Sequence, residues 1–387
     1  MTENAIVVIT YNRLVSLKRL IRSLLDAEYL GDKIDLIVSM DCSGDENLKL
    51  YIESISWPFG EIVKIFHEER LGLKKHVLFC GSLTDKYENL FVFEDDLYVS
   101  KSFYLFGKKA IKYYKNDKNI AGISLYTYQW NQYVNKSFTP LSDENDIFFM
   151  QVASSWGQVW MKESWKNFIK WMENKSSDDL KKMDDLPKAV SNWSSHSWLK
   201  FHHAYLASEN KFFVYPRVAL STNFSEPGQH AYLDSTYQVE LQHKLKTNYK
   251  FCELKDGIKY DPFYENIDLS NSIDGYKNLI VDLYGSKPIS NKYILTTRNL
   301  PYHVEKKFAL RMRPHELNIL NNIHGEGVFL YDASILIEEK KGFIKIFLST
   351  TNNNLFYYKM NNRKVLINMW IYLFLSSMIR KILGFFK

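Results

Sequence analysis

The first 125 residues alternate between two hydrophobic periods. Residues 5–9 and 34–40 are nearly continuous apolar runs that predict buried strands, and residues 62–66 give a third. Between them, residues 14–25 place apolar side chains at helical spacing, and segments near 46–54 and 73–83 predict two more helices. A further run, Leu90-Phe91-Val92-Phe93, stops abruptly at three consecutive acids, Glu94, Asp95 and Asp96. Ser100 is placed to cap a helix reaching about Tyr114, and residues 120–125 return to strand. Repeated strand–helix units with short connections predict an α/β fold, a mostly parallel, Rossmann-like sheet with helices on both faces and right-handed crossovers.

Open α/β sheets bind ligands beyond the carboxyl ends of their strands, which is where the acids fall. Three clustered carboxylates repel one another unless something positive sits among them. A divalent Mg²⁺ or Mn²⁺ carrying a diphosphate meets that need, because hard oxygen ligands suit these ions. The same acids also suit an Asx turn and a helix start before Ser100. After the first strand comes Thr10-Tyr11-Asn12-Arg13, with neither the Gly-x-Gly of dinucleotide sites nor the Gly-Lys-Ser/Thr of phosphate loops. After the second comes Asp41-Cys42-Ser43. Asp41 suits a ribose or base edge and Arg13 a base or phosphate, although singly they read more readily as a turn residue and a solvated cation. Their joint placement at three strand ends on one side of a sheet favours a ligand site.

Composition narrows the classes. With 387 residues, 46% hydrophobic and 16% aromatic, the chain is globular and long enough for more than one folding unit. A formal charge of +6 without a dense basic block argues against nucleic acid. Three scattered cysteines, Cys42, Cys80 and Cys252, suggest neither a disulfide framework nor a zinc site, and point to a reducing compartment. The direct run from Met1 into strand leaves no room for a signal peptide.

The ordered set Val7-Val8-Ile9-Thr10-Tyr11-Asn12-Arg13, Ile37-Val38-Ser39-Met40-Asp41-Cys42 and Phe93-Glu94-Asp95-Asp96-Leu97 resembles glycosyltransferases of the GT-A fold. The likeness is to the N-acetylglucosaminyltransferase I family and to bacterial polysaccharide glycosyltransferases built like it. It implies that Asp41 holds the uridine, that Arg13 lies by the base, and that Asp96 ligates the metal. Glu94 and Asp95 would then contact the sugar and ribose of the donor, with Thr10 and Asn12 in the same nucleotide-sugar site. Ser154-Ser155-Trp156-Gly157 resembles the Ser-Trp-Gly stretch of the bacterial relatives, and Trp156 is placed in the site, whereas Trp165 and Trp171 read as core. Inverting relatives carry an Asp base two residues before a tryptophan at a helix start. The matching position here is His196, before Trp198, and histidine can remove the acceptor proton nearer neutral pH. A glycine-containing loop ending in His covers the diphosphate in relatives, and Pro227-Gly228-Gln229-His230 matches it.

Residues 1–245 therefore read as the transferase domain, 246–363 as an accessory region with short strands near 327–331 and 343–347, and 364–387 as a membrane-associated amphipathic helix. That tail is apolar over 365–379 and flanked by Arg363-Lys364 and Arg380-Lys381, too short to span a bilayer but suited to lie on its cytoplasmic face. The expected activity is a metal-dependent, inverting glycosyltransfer from a UDP-sugar to a hydroxyl of a glycan or lipid-linked oligosaccharide in surface polysaccharide synthesis. A catalytically silent, membrane-bound glycan-binding or scaffold protein is favoured by the missing Asp at His196. A sugar nucleotidyltransferase shares the fold but needs the glycine-rich loop that Thr10–Arg13 lacks.

Overall fold

A computed structural model describes residues 2–224, 226, 237–337 and six tail positions, Ile367, Trp370, Ile371, Phe374, Leu375 and Met378. The first half alternates as the hydrophobic pattern predicts: β1 (Asn4–Thr10), α1 (Leu14–Leu25), β2 (Asp35–Met40), α2 (Glu46–Ser54), β3 (Ile62–Phe66), α3 (Gly72–Ser82) and β4 (Asn89–Glu94). β1 pairs in parallel with both β2 and β4, and β2 with β3. The strands are apolar throughout because both faces are covered. Ile6, Val8, Phe91 and Phe93 enter one core with α1, while Ala5, Val7, Leu90 and Val92 enter a second core on the other face with α3. In α1 the buried positions Leu17, Leu20, Ile21 and Leu24 keep the three-and-four spacing. The Asp45 carboxylate caps α2 by accepting from the Leu48 N–H.

The acids do not lead straight into a helix. Leu97–Val99 form β5, and only then does α4 (Phe103–Tyr114) begin, with no side-chain cap. Ser100 accepts from the Ser102 N–H instead of capping α4, because β5 is held in a separate two-stranded ladder. The chain continues through β6 (Ile120–Ser124), the short hairpin β7 (Trp130–Asn131) and β8 (Lys136–Ser137), then β9 (Ile147–Met150) and β10 (Gln158–Met161). Helices α5 (Lys162–Glu173), α6 (Ser177–Lys181), α7 (Lys188–Ser191) and α8 (Leu199–Ser208) follow, then β11 (Phe212–Pro216) and β12 (Ser221–Asn223). β12 pairs antiparallel with β5, and β13 (Lys259–Tyr260) pairs with β9.

The central sheet has the order β13-β9-β11-β6-β10-β4-β1-β2-β3. It is mixed, since β10 runs antiparallel to β4 and β6, and β9 antiparallel to β11. β13 lies beyond the boundary expected at residue 245, so the central sheet draws on the segment read as an accessory region. A second sheet, β14 (Ile280–Asp282), β15 (Tyr293–Thr296), β16 (Tyr302–Phe308) and β17 (Val328–Leu336), has its own core with helix α9 (Glu316–Leu320) against it. The expected strand at 343–347 lies outside the described residues. Among the described residues no helix is long and apolar enough to cross a membrane.

Candidate active site

The carboxyl ends of β2, β1 and β4 lie side by side, and the residues at the ends of β1 and β4 make one polar cluster. Glu94 ends β4 opposite Ile9 of β1, which brings Asp95 and Asp96 against the turn after Thr10. The Thr10 hydroxyl donates to Asp95 Oδ2 at 2.7 Å. Arg13 spans both aspartates, Nη2 lying 2.5 Å from Asp95 Oδ1 and Nη1 2.9 Å from Asp96 Oδ2. The positive charge that three adjacent acids require is thus supplied by the chain itself. Arg13, expected beside the base, is turned onto the carboxylates, because their field is the strongest attraction within its reach.

The electrostatics follow from burial. Burial pushes the Asp95 carboxyl upward, opposed by Arg13 and by the Thr10 hydrogen bond. Glu94 is pushed up to about 8, by burial first and then by Asp96 and Asp95, with Arg13 acting against them. Burial opposes the Arg13 charge too, but Asp95, Asp96 and Glu94 outweigh it and hold its pKa above the ordinary arginine value. Asp96 Oδ1 is buried and accepts no hydrogen bond among the described residues. An anionic oxygen in that condition fits a cation, and the surrounding carboxylates are the hard donors that Mg²⁺ or Mn²⁺ take. Among the described residues no group of three or more His, Cys, Asp or Glu is arranged to hold a metal. A cation at Asp96 would therefore complete its shell from its ligand and water.

Asp41 is anchored by backbone donors. It is buried, and its oxygens accept from the backbone N–H groups of Cys42 at 2.9 Å, Leu71 at 2.8 Å and Gly72 at 2.9 Å. The Leu71 and Gly72 donors open α3, so the carboxylate satisfies the helix start and opposes its dipole. With two acceptor positions per oxygen, Oδ2 retains room for one more donor. Behind it the Ser39 hydroxyl lies 2.8 Å from His76 Nε2 and 3.1 Å from His67 Nε2. Burial lowers the His76 pKa to about 4, Asp41 opposing and His67 reinforcing, so His76 is neutral at physiological pH.

Trp156 stands at the entrance to β10. Its ring stacks on Tyr237 with centroids 5.2 Å apart and meets Tyr126 edge-on at 4.8 Å. Gly157 follows with φ +88°, and a Cβ there would sit 2.5 Å from Ser221 Oγ and 3.3 Å from Phe93. Only glycine fits this close approach in the left-handed region, which ties Trp156 to the end of β4. The Ser221 hydroxyl donates to the Trp156 carbonyl at 2.6 Å. Trp165 is core as expected, stacked 3.9 Å from Trp160.

The remaining expected residues are dispersed. Asn12 is exposed in the turn before α1. His196 is exposed in a turn before α8, which begins at Leu199, and its side chain makes no hydrogen bond or ion pair among the described residues. The helix-start position expected for it falls three residues later because Ser194 to Ser197 close a turn. His230 lies outside the described residues.

Two contacts had no local signal in the sequence. Arg70 lies over the Tyr11 ring at 4.8 Å, roofing the turn that carries Arg13. Arg19 of α1 grips Glu226 with both nitrogens, at 2.7 and 2.8 Å, and lies 3.6 Å over the Phe224 ring. That pairing holds the Glu226 carboxyl down at about 2, through the Arg19 hydrogen bond chiefly. Each joins residues far apart in sequence, so no local pattern marks it.

Residues 5–169 match the glycosyl transferase family 2 model. No curated protein matches the chain. Among solved structures it is similar to S. aureus TarS 1–349 in complex with UDP-GlcNAc, at 15% identity over 59% of this chain and 60% of that one, with TM-score 0.38. It is also similar to the mannosyltransferase PcManGT from Pyrobaculum calidifontis in complex with GDP-Man and Mn²⁺, at 10% identity over 56% of this chain and 57% of that one, with TM-score 0.34. A third, GalNAc-T7 with UDP, GalNAc and Mn²⁺, shows 13% identity over 56% of this chain and 42% of that one, with TM-score 0.38. The chain thus spans about 60% of the length of the TarS 1–349 structure it matches.

Proposed function

We propose that this chain, whose residues 5–169 match the glycosyl transferase family 2 model, moves a sugar from a UDP-sugar to a hydroxyl of a glycan acceptor with inversion at the anomeric carbon. The observation that carries the reading is the Asp95–Asp96 pair at the end of β4, counter-charged by Arg13 and leaving one buried Asp96 oxygen unbonded among the described residues. Asp96 would hold a divalent Mn²⁺ or Mg²⁺, with Asp95 beside it, and the ion would neutralise the departing diphosphate. Arg13 then has two roles, countering the acids without donor and meeting phosphate with it. Asp41 offers its remaining acceptor position to the nucleoside, and Trp156 a flat face to a sugar ring.

The acceptor oxygen attacks the anomeric carbon as its proton passes to a base and the diphosphate leaves with the bonding electron pair. His196 is our candidate base, supported by its exposed ring ahead of α8 and by the resemblance at Trp198. The tail supplies a membrane contact. Its six described positions are all helical, all apolar and 44% to 67% exposed, at the spacing of one helical face. A peripheral position on the cytoplasmic leaflet would present a lipid-linked acceptor to the site, in keeping with surface polysaccharide synthesis.

The test is hydrolysis and transfer with a panel of UDP-sugars, with and without Mn²⁺. One donor should turn over only with the ion present, and Asp96→Asn and His196→Ala should each abolish turnover without lowering the thermal midpoint. Turnover that persists in Asp96→Asn, or without any divalent ion, would overturn the metal assignment. A panel with no turnover and no donor binding would favour the silent glycan-binding protein.

A further inference from the structure

The acids lie at one end of the central sheet, and a cavity of about 670 Å³ lies at the other. β6 and β11 run parallel to each other, and both run parallel to β4 because β10 opposes β4 and β6 alike. The turns that lead into β6 and β11 therefore sit at the edge remote from Asp96, and with the end of α4 they wall this cavity. The volume lies within the range of small-molecule sites and accommodates several sugar rings.

The lining has a definite chemistry. Tyr113 presents a ring that is 48% exposed, buttressed by Tyr114 at 4.8 Å and Phe251 at 5.6 Å, so its open face is held in place. Asn116 and Asn119 flank it with exposed side chains that make no hydrogen bond among the described residues. Asp117 Oδ1 accepts from the Asn119 N–H, which orients its carboxylate at the rim. Asn210 engages Gln151 through its oxygen at 2.8 Å, leaving its amide hydrogens available. The cations of the cavity are already matched, Lys255 with Glu253 at 2.8 Å and Lys259 with Asp268 at 2.9 Å.

We infer that this cavity is a second binding site, for a neutral oligosaccharide. A supported aromatic face stacks on the apolar side of a sugar ring, and amides with one carboxylate both donate to and accept from neighbouring hydroxyls. With its lysines paired and Asp117 unpaired among the described residues, the wall has no spare positive charge for a phosphate or sulfate. The site is separate from the donor site and does not depend on which nucleotide-sugar binds there. Its use, gripping a glycan behind the point of transfer so that the chain stays bound between additions, rests on the transferase reading.

Saturation-transfer NMR on the full chain tests the inference, with maltotetraose, cellotetraose and chitotetraose as neutral probes and a heparin tetrasaccharide as the anionic one. At least one neutral probe should bind, and Tyr113→Ala should reduce its signal at least fivefold while UDP binding is unchanged. Asn119→Ala, at an exposed position, gives the same readout should the tyrosine variant unfold. Absence of binding by every neutral probe, binding that survives both substitutions, or preference for the heparin fragment would overturn it. Glycan binding here without donor turnover would count against the proposed activity alone, and turnover without glycan binding against this site alone.

Discussion

Arg13 offers the most direct test of how the acids are balanced. In Arg13→Met the stem is kept and the charge removed, leaving Asp95 and Asp96 without the cation that spans them. Removing one partner from a buried ion pair costs about 3–5 kcal/mol, because the remaining charge is stranded. The arginine side chain is 27% exposed and its partners 3% and 15%. Solvent screening brings the expected loss to about 2–3 kcal/mol at alkaline pH.

That loss should depend on pH, and its sign follows from proton linkage. Burial already raises Asp95, and raises Glu94 to about 8, with Arg13 opposing both shifts. Without Arg13 both rise further, so the folded state holds protons that the unfolded state has released. Stability of the variant should therefore fall as pH rises from the ordinary carboxylate range through about 8, and fall more steeply than in the parent. Toward the ordinary carboxylate range the raised Glu94 and Asp95 take up protons and the difference between the two proteins should narrow. Urea unfolding followed by tryptophan fluorescence at several pH values gives the comparison. Mn²⁺ should then substitute for the missing charge, restoring about 2.7 kcal/mol at a hundredfold excess over its Kd. A loss that is the same at all pH values, or that Mn²⁺ leaves untouched, would refute the reasoning about both the acids and the cation.

Three other outcomes are expected. Gly157→Ala should destabilise by about 2–4 kcal/mol in urea unfolding, through left-handed strain and the collision with Ser221; an unchanged midpoint would mean that the approach of β10 to Ser221 is looser than described. Asp41→Ala strands three backbone donors and should cost about 2–3 kcal/mol, with hydrogen exchange accelerated at Leu71 and Gly72 before the rest of α3. Deleting residues 364–387 should move the protein from the membrane to the supernatant fraction in sedimentation with anionic vesicles, and continued sedimentation would end the membrane assignment.

What could be read in advance follows from how local each cause is. The early strands and helices have their reasons within a few residues: a strand covered on both faces must be apolar throughout, and α1 must alternate at three and four. The runs at 5–9, 34–40 and 62–66 therefore match β1, β2 and β3 almost residue for residue. β9 and β10 were not anticipated as strands. Phe148 and Trp160 belong to a stretch so rich in aromatics that a strand and a helix lead-in look alike, and pairing with β11 and β4 decides the matter. Likewise Lys259–Tyr260 has no strand signature of its own; the backbone of β9 makes it one.

The site was legible as a place and less so as a set of bonds. Strand ends marked the sheet edge along which Asp41 and the acids lie, at the carboxyl ends of β2 and β4 on either side of β1. Which partner each would choose depended on geometry that no spacing encodes. Three adjacent acids need a positive charge, and Arg13, eighty-odd residues away in sequence, supplies one from within the chain. Asp41 repeats the lesson: a carboxylate at a strand end reads as a ligand holder, yet the unmet N–H groups that open α3 claim it first. A donor that enters this site must therefore compete for groups already engaged. Binding should then be coupled to rearrangement of Arg13, whereas the Asp96 oxygen that no described residue claims is available from the start.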